Sequence, residues 1–222
     1  MYHLTRKSLV VINLMLMTAV IGGPASAAEG ERHLSFELDA AAAELIRLRV
    51  PAGEMEVVGI TGDKVIAEAT AVCEKAAQNA CQTLLNTMEW TQKSGSITEL
   101  SLSPVGVSEY NDVKIKVKIG VPSAKYLEVN LGAGDLRISD TSACLIAELN
   151  AGQITISLAQ SQLASASLSS MVGDAKLVYT NGETLSGKRS ALVGAKLEWN
   201  SGSGSCHTQA KVMAGEVKLT LK

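Results

Sequence analysis

The chain has 222 residues, enough for one sizeable hydrophobic core, and a formal net charge of −2. This weakly acidic balance argues against nucleic-acid binding, which requires a basic face. Only 3% of the residues are aromatic, so the core has to be built from Val, Ile, Leu and Ala, and a stacking platform for sugars or bases has little material.

Residues 1–27 have the three-part layout of a secretory signal peptide. Arg6 and Lys7 precede an apolar run over residues 9–21, and the small-residue sequence "ASA" ends at position 27. The run is shorter than the roughly 20 apolar residues that span a bilayer, so an uncleaved anchor is the weaker alternative. We predict cleavage before Ala28, which leaves a mature chain with a formal charge of −4. We also predict that the mature chain has no transmembrane segment and is exported to the periplasm, the cell surface or the medium.

Residues 28–122 form a looser first half of the mature chain. Residues 44–60 alternate apolar and polar side chains on both sides of a corner glycine, Gly53, and residues 63–73 alternate in the same way. Residues 112–122, "DVKIKVKIGVP", alternate cleanly and end at a proline. Period-two alternation predicts strands with one buried face.

An insertion at residues 73–90 departs from this pattern. Its segment 74–86, "EKAAQNACQTLLN", predicts a helical turn or two, and residues 88–103 predict a hairpin. In one continuous helix, Cys73 and Cys81 would have Cα atoms about 12 Å apart. A disulfide needs less than about 7 Å, so the chain has to reverse between them if they pair. We predict this disulfide, which would pin the insertion.

A ladder of lysines occupies one face of the strand at residues 112–122. Its members are Lys114, Lys116 and Lys118. The ladder could contact an anionic polymer, such as lipopolysaccharide or an acidic glycan. Alternatively, it is a solvated strand face that discourages edge pairing, neutralised by carboxylates on neighbouring strands. The candidate carboxylates are Glu54, Glu56 and Glu99. We favour the second interpretation.

Residues 123–222 repeat one short motif five times. Each unit has an alternating run, a glycine and a second alternating run, as in "VNLGAGDLRI" (129–138). The glycines follow one another at spacings of 18, 21, 21 and 21 residues, which indicates a stacked architecture. The corner glycines of this half are Gly134, Gly152, Gly173, Gly194 and Gly215.

The repeat length predicts the fold class. About 20 residues at roughly 3.3 Å each trace one turn of a flattened coil, whereas a strand–helix–strand crossover needs about 30. We predict an all-β fold, a single-stranded parallel β-helix with about 18–22 residues per turn, forming one domain over residues 28–222. Turns are expected to stack in chain order, with small residues packed inside each corner. One inner row should contain Leu136, Ile154, Leu177, Leu197 and Leu219.

Cys144 and Cys206 occupy nearly the same place in their turns, but three turns apart. Stacking in chain order would separate them by about 14 Å, which is too far for a disulfide. We therefore predict two free, largely buried thiols.

The sequence carries no recognisable catalytic, metal or cofactor motif. The position after the corner glycine holds Asp135 in one unit and glutamine, alanine or glutamate in others, which does not suit a metal ligand. Asp135 is therefore interpreted as a solvated corner residue. Cys206 and His207 are adjacent, and neighbouring strand residues point to opposite faces, so they suit a flexible loop better than a nucleophile–base pair. We predict no catalytic residue, metal ligand or cofactor.

The segment "VKIGVPSAKYLEVNLGAGDLRIS" (117–139) resembles the core signature of the bacterial putative-adhesin family of unknown function, which is related to toastrack-type β-helix domains. The shared pattern is a strand, Val-Pro, a spacer, a second strand, Gly-Asp and another strand. The resemblance covers nearly all of the mature chain except the insertion at residues 73–90. It implies an exported, coil-shaped protein without enzymatic activity.

These patterns predict a non-catalytic, adhesin-like exported protein that binds or scaffolds an envelope protein or glycan. The alternative is a carbohydrate-active enzyme, a polysaccharide lyase or hydrolase, which would need acidic and basic side chains clustered in a groove. A third possibility is end-to-end self-association, because the final strand, "GEVKLTLK" (215–222), has no evident cap.

Overall fold

The computed structural model describes residues 30–74, 79–103, 113–190 and 193–222. The predicted signal peptide, residues 1–27, lies outside them.

Strands dominate the described chain, and its single α-helix has nine residues. No helix in the described ranges has the length and apolar character needed to cross a membrane. In chain order the elements are β1 (Glu31–Asp39), β2 (Leu45–Ile60), β3 (Lys64–Cys73), α1 (Asn79–Thr87), β4 (Glu89–Lys93), β5 (Ile97–Ser103), β6 (Val113–Pro122), β7 (Tyr126–Ser139), β8 (Leu145–Leu158), a 3-10 turn (Gln160–Gln162), β9 (Leu163–Val178), β10 (Thr184–Ser186), β11 (Lys188–Ser190), β12 (Gly194–Trp199) and β13 (Cys206–Leu221).

All of these strands join one mixed sheet. Its centre consists of five parallel strands in the spatial order β2-β7-β8-β13-β9. At one end, the first half of β2 pairs with β5 and the second half pairs with β6. β4 pairs antiparallel with β5, β3 pairs antiparallel with β6, and β1 pairs antiparallel with β3. At the other end, β12 and β10 pair antiparallel with the two halves of β9, and β11 pairs with β12. The fold is nearly all β, as predicted, but the sheet is mixed rather than uniformly parallel.

A column of glycines crosses the middle of the five parallel strands. In spatial order its members are Gly53, Gly134, Gly152, Gly215 and Gly173, each in register with the next. Their φ angles lie between 118° and 137°, in a region that L side chains rarely adopt. In β7 the buried residues are odd-numbered up to Leu131 and even-numbered from Leu136 onward. The glycine therefore reverses the alternation, and both halves of each strand turn an apolar face to the same core.

Close contact is a second reason for glycine in this column. A Cβ atom on Gly134 would overlap the carbonyl oxygen of Gly53, and one on Gly152 would overlap that of Gly134. The same holds for Gly215 against Gly152 and for Gly173 against Gly215. Each strand can pair closely with its neighbour at the corner only because no side chain intervenes.

Two rows of apolar side chains follow the glycine column on its C-terminal side. The first contains Met55, Leu136, Ile154, Val217 and Ala175, and the second contains Val57, Ile138, Ile156, Leu219 and Leu177. All ten are at most 1% exposed. The predicted single row is therefore wrong, since its members are divided between these two rows and Leu197 lies on β12 opposite Leu168.

The predicted stacking of turns in chain order is also wrong. β13 inserts between β8 and β9, so that the last strand lies in the interior of the parallel set. β12, predicted as another parallel turn, runs antiparallel to β9. Gly194 consequently lies outside the glycine column and pairs with Ser190. The units of β7, β8, β9 and β13 have the same alternation, so periodicity alone does not determine which of these strands are neighbours.

Two disulfides are present in the structure. The first joins Cys73 at the end of β3 to Cys81 in α1, with the Cα atoms 6.0 Å apart, as the sequence predicted. The second joins Cys144 to Cys206, with the Cα atoms 4.6 Å apart. The prediction of two free thiols is wrong because it assumed stacking in chain order. With β13 beside β8, Thr208 pairs with Leu145, and the two preceding segments meet.

The corner residues and the final strand differ from expectation as well. The small residues beside the glycines face solvent rather than the inside of the corner: Ala133, Ala151, Val172, Val193 and Ala214. In the glycine column the core is filled instead by the residues three before and two after each glycine, such as Leu131 and Leu136 around Gly134. β13 is paired on both sides, so it does not offer the exposed edge on which end-to-end self-association was predicted.

The glycine column can be tested with Gly152→Ala. The added methyl group would overlap the backbone of Gly134, and the alanine would also have to adopt the positive φ of Gly152. We therefore expect the free energy of unfolding to fall by about 2–5 kcal/mol. Gly62 also has a positive φ but has open space around it. Gly62→Ala is the matched control, with an expected loss of about 1–2 kcal/mol. Urea denaturation measures both, and equal losses would refute the close-contact argument.

The position of β13 can be tested by peptide mapping of the purified protein without reduction. We expect two linked pairs, Cys73–Cys81 and Cys144–Cys206. The second closes a sequence separation of 62 residues and the first a separation of 8. Removing the second with paired alanine substitutions should therefore cost about 4 kcal/mol of unfolding free energy, against about 2.5 kcal/mol for the first. Free thiols at 144 and 206 would contradict the strand order.

Candidate functional site

The segments that precede the parallel strands lie together at the end of the sheet where these strands begin. Neighbouring parallel strands begin side by side, so the segments before them are also neighbours. Segment 123–125 precedes β7, segment 140–144 precedes β8 and segment 200–205 precedes β13. The 3-10 turn Gln160–Gln162 precedes β9 and lies beside segment 200–205. Loops positioned by a rigid sheet are frequent sites of binding.

Segment 200–205 lies directly against the chain at residues 162–164. The backbone N–H of Gly202 donates to the carbonyl of Ala164 at 3.2 Å, and that of Gly204 donates to the carbonyl of Leu163 at 3.1 Å. A Cβ atom on either glycine would overlap this backbone. The disulfide at Cys206 fixes the C-terminal end of the segment. The flexible loop predicted here is therefore a segment held against its neighbours.

A cleft of about 530 Å³ opens between these segments. Its polar side chains are Ser123, Ser142, Ser161, Gln162, Ser203 and Ser205. Ala124, Gly204 and Cys206 complete the lining. The cleft is thus rich in hydroxyl groups and is lined by no charged side chain.

Most of the polar groups in the cleft are not used by the protein itself. The hydroxyl of Ser142 accepts a hydrogen bond from the backbone N–H of Cys144 at 3.2 Å. The side chains of the other four serines and of Gln162 make no hydrogen bond within the described ranges, and all five residues are exposed. These donors and acceptors can therefore bind a ligand without breaking an internal bond.

His207 and Ser165 form a pair on neighbouring strands. His207 Nδ1 lies 2.6 Å from the Ser165 hydroxyl. The imidazole ring has no carboxylate partner in the part of the chain that the structure describes. A catalytic histidine is normally oriented by such an acid, so this pair lacks a component of nucleophilic catalysis. Cys206, predicted to be a poor partner for His207, is occupied by the disulfide.

The lysine ladder on β6 is exposed and faces carboxylates. The pairs are Lys114–Glu74 at 2.8 Å, Lys116–Glu54 at 3.9 Å and Lys118–Glu56 at 3.9 Å. The hydrogen bond to Glu74 raises the pKa of Lys114. This pairing supports the interpretation as a solvated strand face rather than a site for anionic polymers. Glu99, the third carboxylate suggested by the sequence, lies in another ion-pair row.

That row crosses β4, β5, β2 and β7. Glu99 lies 3.5 Å from Lys93 Nζ and 3.5 Å from the Arg47 guanidinium, which also contacts Glu128 at 2.9 Å. The hydrogen bond from Arg47 lowers the pKa of Glu128. Because each charge has a partner on the next strand, the row stabilises strand pairing and offers no unpaired charge to a ligand.

Asp135 stands in register between Glu54 and Gln153 on the outer face. Among the described residues, no three His, Cys, Asp or Glu side chains come together as metal ligands. The geometry of Asp135 is that of a corner residue.

The sequence analysis missed the cleft. Its serines are spread between positions 123 and 205, and no motif joins them. One signal could have found them. Each serine stands in a short segment just before an alternating run, and parallel strands place such segments side by side.

Comparison with known proteins gives distant likenesses. No protein-family model and no curated protein matches the sequence. Among solved structures, a "putative cell adhesion protein" of Clostridium sporogenes is 12% identical with a TM-score of 0.48, over 86% of this chain and 100% of that chain. A "putative adhesin" of Parabacteroides merdae is 12% identical, with a TM-score of 0.28, over 85% of this chain and 81% of that chain. A "putative lipid binding protein" of Parabacteroides distasonis is 11% identical, with a TM-score of 0.25, over 86% of this chain and 97% of that chain.

The Arg47–Glu128 pair predicts a pH dependence of stability. The folded-state pKa of Glu128 is lowered from its ordinary value of 4.5, so its ionised form stabilises the fold above pH 4.5. This contribution is lost as the pH falls through the lower folded-state pKa. Glu128→Gln should therefore lower the unfolding free energy at neutral pH, and this loss should become smaller as the pH falls below 4.5. Urea unfolding across this range measures the difference.

The matched control is Glu148→Gln, on the same outer face of β8. Glu148 makes no ion pair within the described residues, so its substitution should leave the unfolding free energy nearly unchanged at every pH. If Glu128→Gln behaves like this control, the ion-pair row does not stabilise the sheet.

Proposed function

We propose that this protein is an exported, non-catalytic binding protein of the bacterial cell envelope, and that the serine-lined cleft is its binding site. The observation that carries the proposal is the cleft itself, in which hydroxyl groups from four separate segments meet on a rigid sheet, and those from three of the segments are unpaired within the described residues. The signal-peptide pattern and the two disulfides support export, because disulfides persist in oxidising compartments.

The scaffold that we propose is an irregular coil forming one domain over residues 28–222. β7 and β8 have 14 residues each, and only five residues separate them. A strand and its connection therefore return the chain to the neighbouring position in the stack, as in one turn of a β-helix. The insertion of β13 and the antiparallel strands at both ends make the coil irregular.

Binding is favoured over catalysis by the chemistry of the cleft. A glycoside hydrolase canonically needs two carboxyl groups about 5–9.5 Å apart on either side of the scissile bond. The lining of this cleft provides hydroxyl and amide groups, and no carboxylate or imidazole. Hydroxyl and amide groups orient a ligand by hydrogen bonds but do not supply the acid and base that glycosidic cleavage requires.

The proposal can be tested with the mature protein, residues 28–222, immobilised and exposed to isolated envelope fractions. We expect one fraction to be retained. Ser203→Trp, which fills the cleft, should abolish this retention. Ser35 is an exposed serine on the outer face of β1, so Ser35→Trp is the matched control and should retain the fraction fully.

Treatment of the retained fraction distinguishes the two classes of partner. Loss of retention after periodate oxidation identifies a glycan, and loss after protease treatment identifies a protein. The proposal fails if the wild-type protein retains no fraction, or if Ser203→Trp and Ser35→Trp behave alike. Sequencing of the exported protein should find Ala28 at its N-terminus.

A further inference from the structure

We infer that the cleft binds an uncharged saccharide; this inference rests on the proposed function and names its ligand class. The first argument is charge. None of the residues that line the cleft is ionisable at neutral pH. Lys125 follows Ala124 directly, but its ammonium group donates to the carbonyl of Ala41 at 2.9 Å. Anionic and cationic ligands therefore find no compensating partner in the cleft.

The second argument is the type of hydrogen-bonding group. A serine hydroxyl both donates and accepts, and the glutamine amide offers two donors and an acceptor. Sugar hydroxyls also donate and accept, so either group can adapt to the other. The lining contains no aliphatic side chain larger than that of Ala124. An acyl chain or an apolar peptide side chain would therefore leave the serine hydroxyls desolvated and unpaired.

The third argument is size and rigidity. A volume of about 530 Å³ lies within the range of small-molecule sites, about 300–1,000 Å³. The walls are fixed by the disulfide at Cys206 and by the backbone contacts of Gly202 and Gly204. A preformed site loses less conformational entropy on binding.

Weak affinity is expected, since no aromatic side chain lines the cleft to stack on a sugar ring. We expect dissociation constants of the order of 1 mM for a single oligosaccharide, about −4 kcal/mol. A repeating envelope glycan could bind more strongly through several copies of the protein.

The test is titration of the ¹⁵N-labelled mature protein, followed by NMR chemical shifts. The probes are neutral trisaccharides of glucose, galactose, mannose and N-acetylglucosamine, with trigalacturonate as the charged counterpart. We expect saturable shifts with at least one neutral trisaccharide, confined to backbone amides of residues 123–125, 140–144, 160–162 and 202–207. Trigalacturonate should bind at least tenfold more weakly than that sugar.

Variants separate the site from the fold. Ser203→Trp should remove the shifts, and Ser35→Trp should leave them unchanged. Ser161→Ala and Ser205→Ala each remove one hydroxyl without filling the cleft, and each should weaken binding about fivefold. Unchanged urea unfolding of the alanine variants shows that the fold is intact.

Three outcomes would overturn the inference: no saturable shift with any neutral trisaccharide, shifts centred outside the cleft, or preference for trigalacturonate. Its failure is distinguishable from failure of the proposed function. If the immobilised protein retains an envelope fraction through the cleft while the neutral sugars neither bind nor compete, the function stands and the ligand class is wrong. If no fraction is retained, the function itself is wrong.

Discussion

The close approach of backbones at the glycine column is the constraint on which the rest of the structure depends. Five parallel strands bend at the same level, and the carbonyl group of each corner occupies the space where the next corner would place a side chain. The positive φ at each glycine also moves the apolar residues from odd to even positions, or the reverse. One conformational feature therefore aligns the strands and turns both of their halves toward a single core.

The cleft is a consequence of this alignment. Because the strands are parallel and in register at the corner, their first residues are neighbours, and so are the segments that precede them. The insertion of β13 between β8 and β9 then brings segment 200–205 between segment 140–144 and the 3-10 turn. The Cys144–Cys206 disulfide fixes that arrangement covalently. A rigid sheet thus supports a polar cleft in segments that have few internal hydrogen bonds.

The charged surfaces have the opposite character. On the outer face, Lys116 and Lys118 face Glu54 and Glu56, and Arg47 lies between two carboxylates. Opposite charges on adjacent strands satisfy one another, so these groups already have partners within the protein. The contrast between these paired charges and the unpaired hydroxyls in the cleft is the reason for proposing the cleft as the binding site.

The sequence by itself determined the all-β class, the glycine corners at Gly53, Gly134, Gly152, Gly173 and Gly215, the Cys73–Cys81 pairing and the hairpin of β4 and β5. These features depend on local information, namely period-two alternation, positive φ and short chain separation. The spatial order of the strands was decided only by the tertiary structure. Ile154, Val217 and Ala175 suit the same inner row in any order, because each presents an apolar side chain at the same distance from its glycine. That order brought Cys144 to Cys206 and assembled the serines of the cleft, since contacts between distant segments depend on which strands are neighbours.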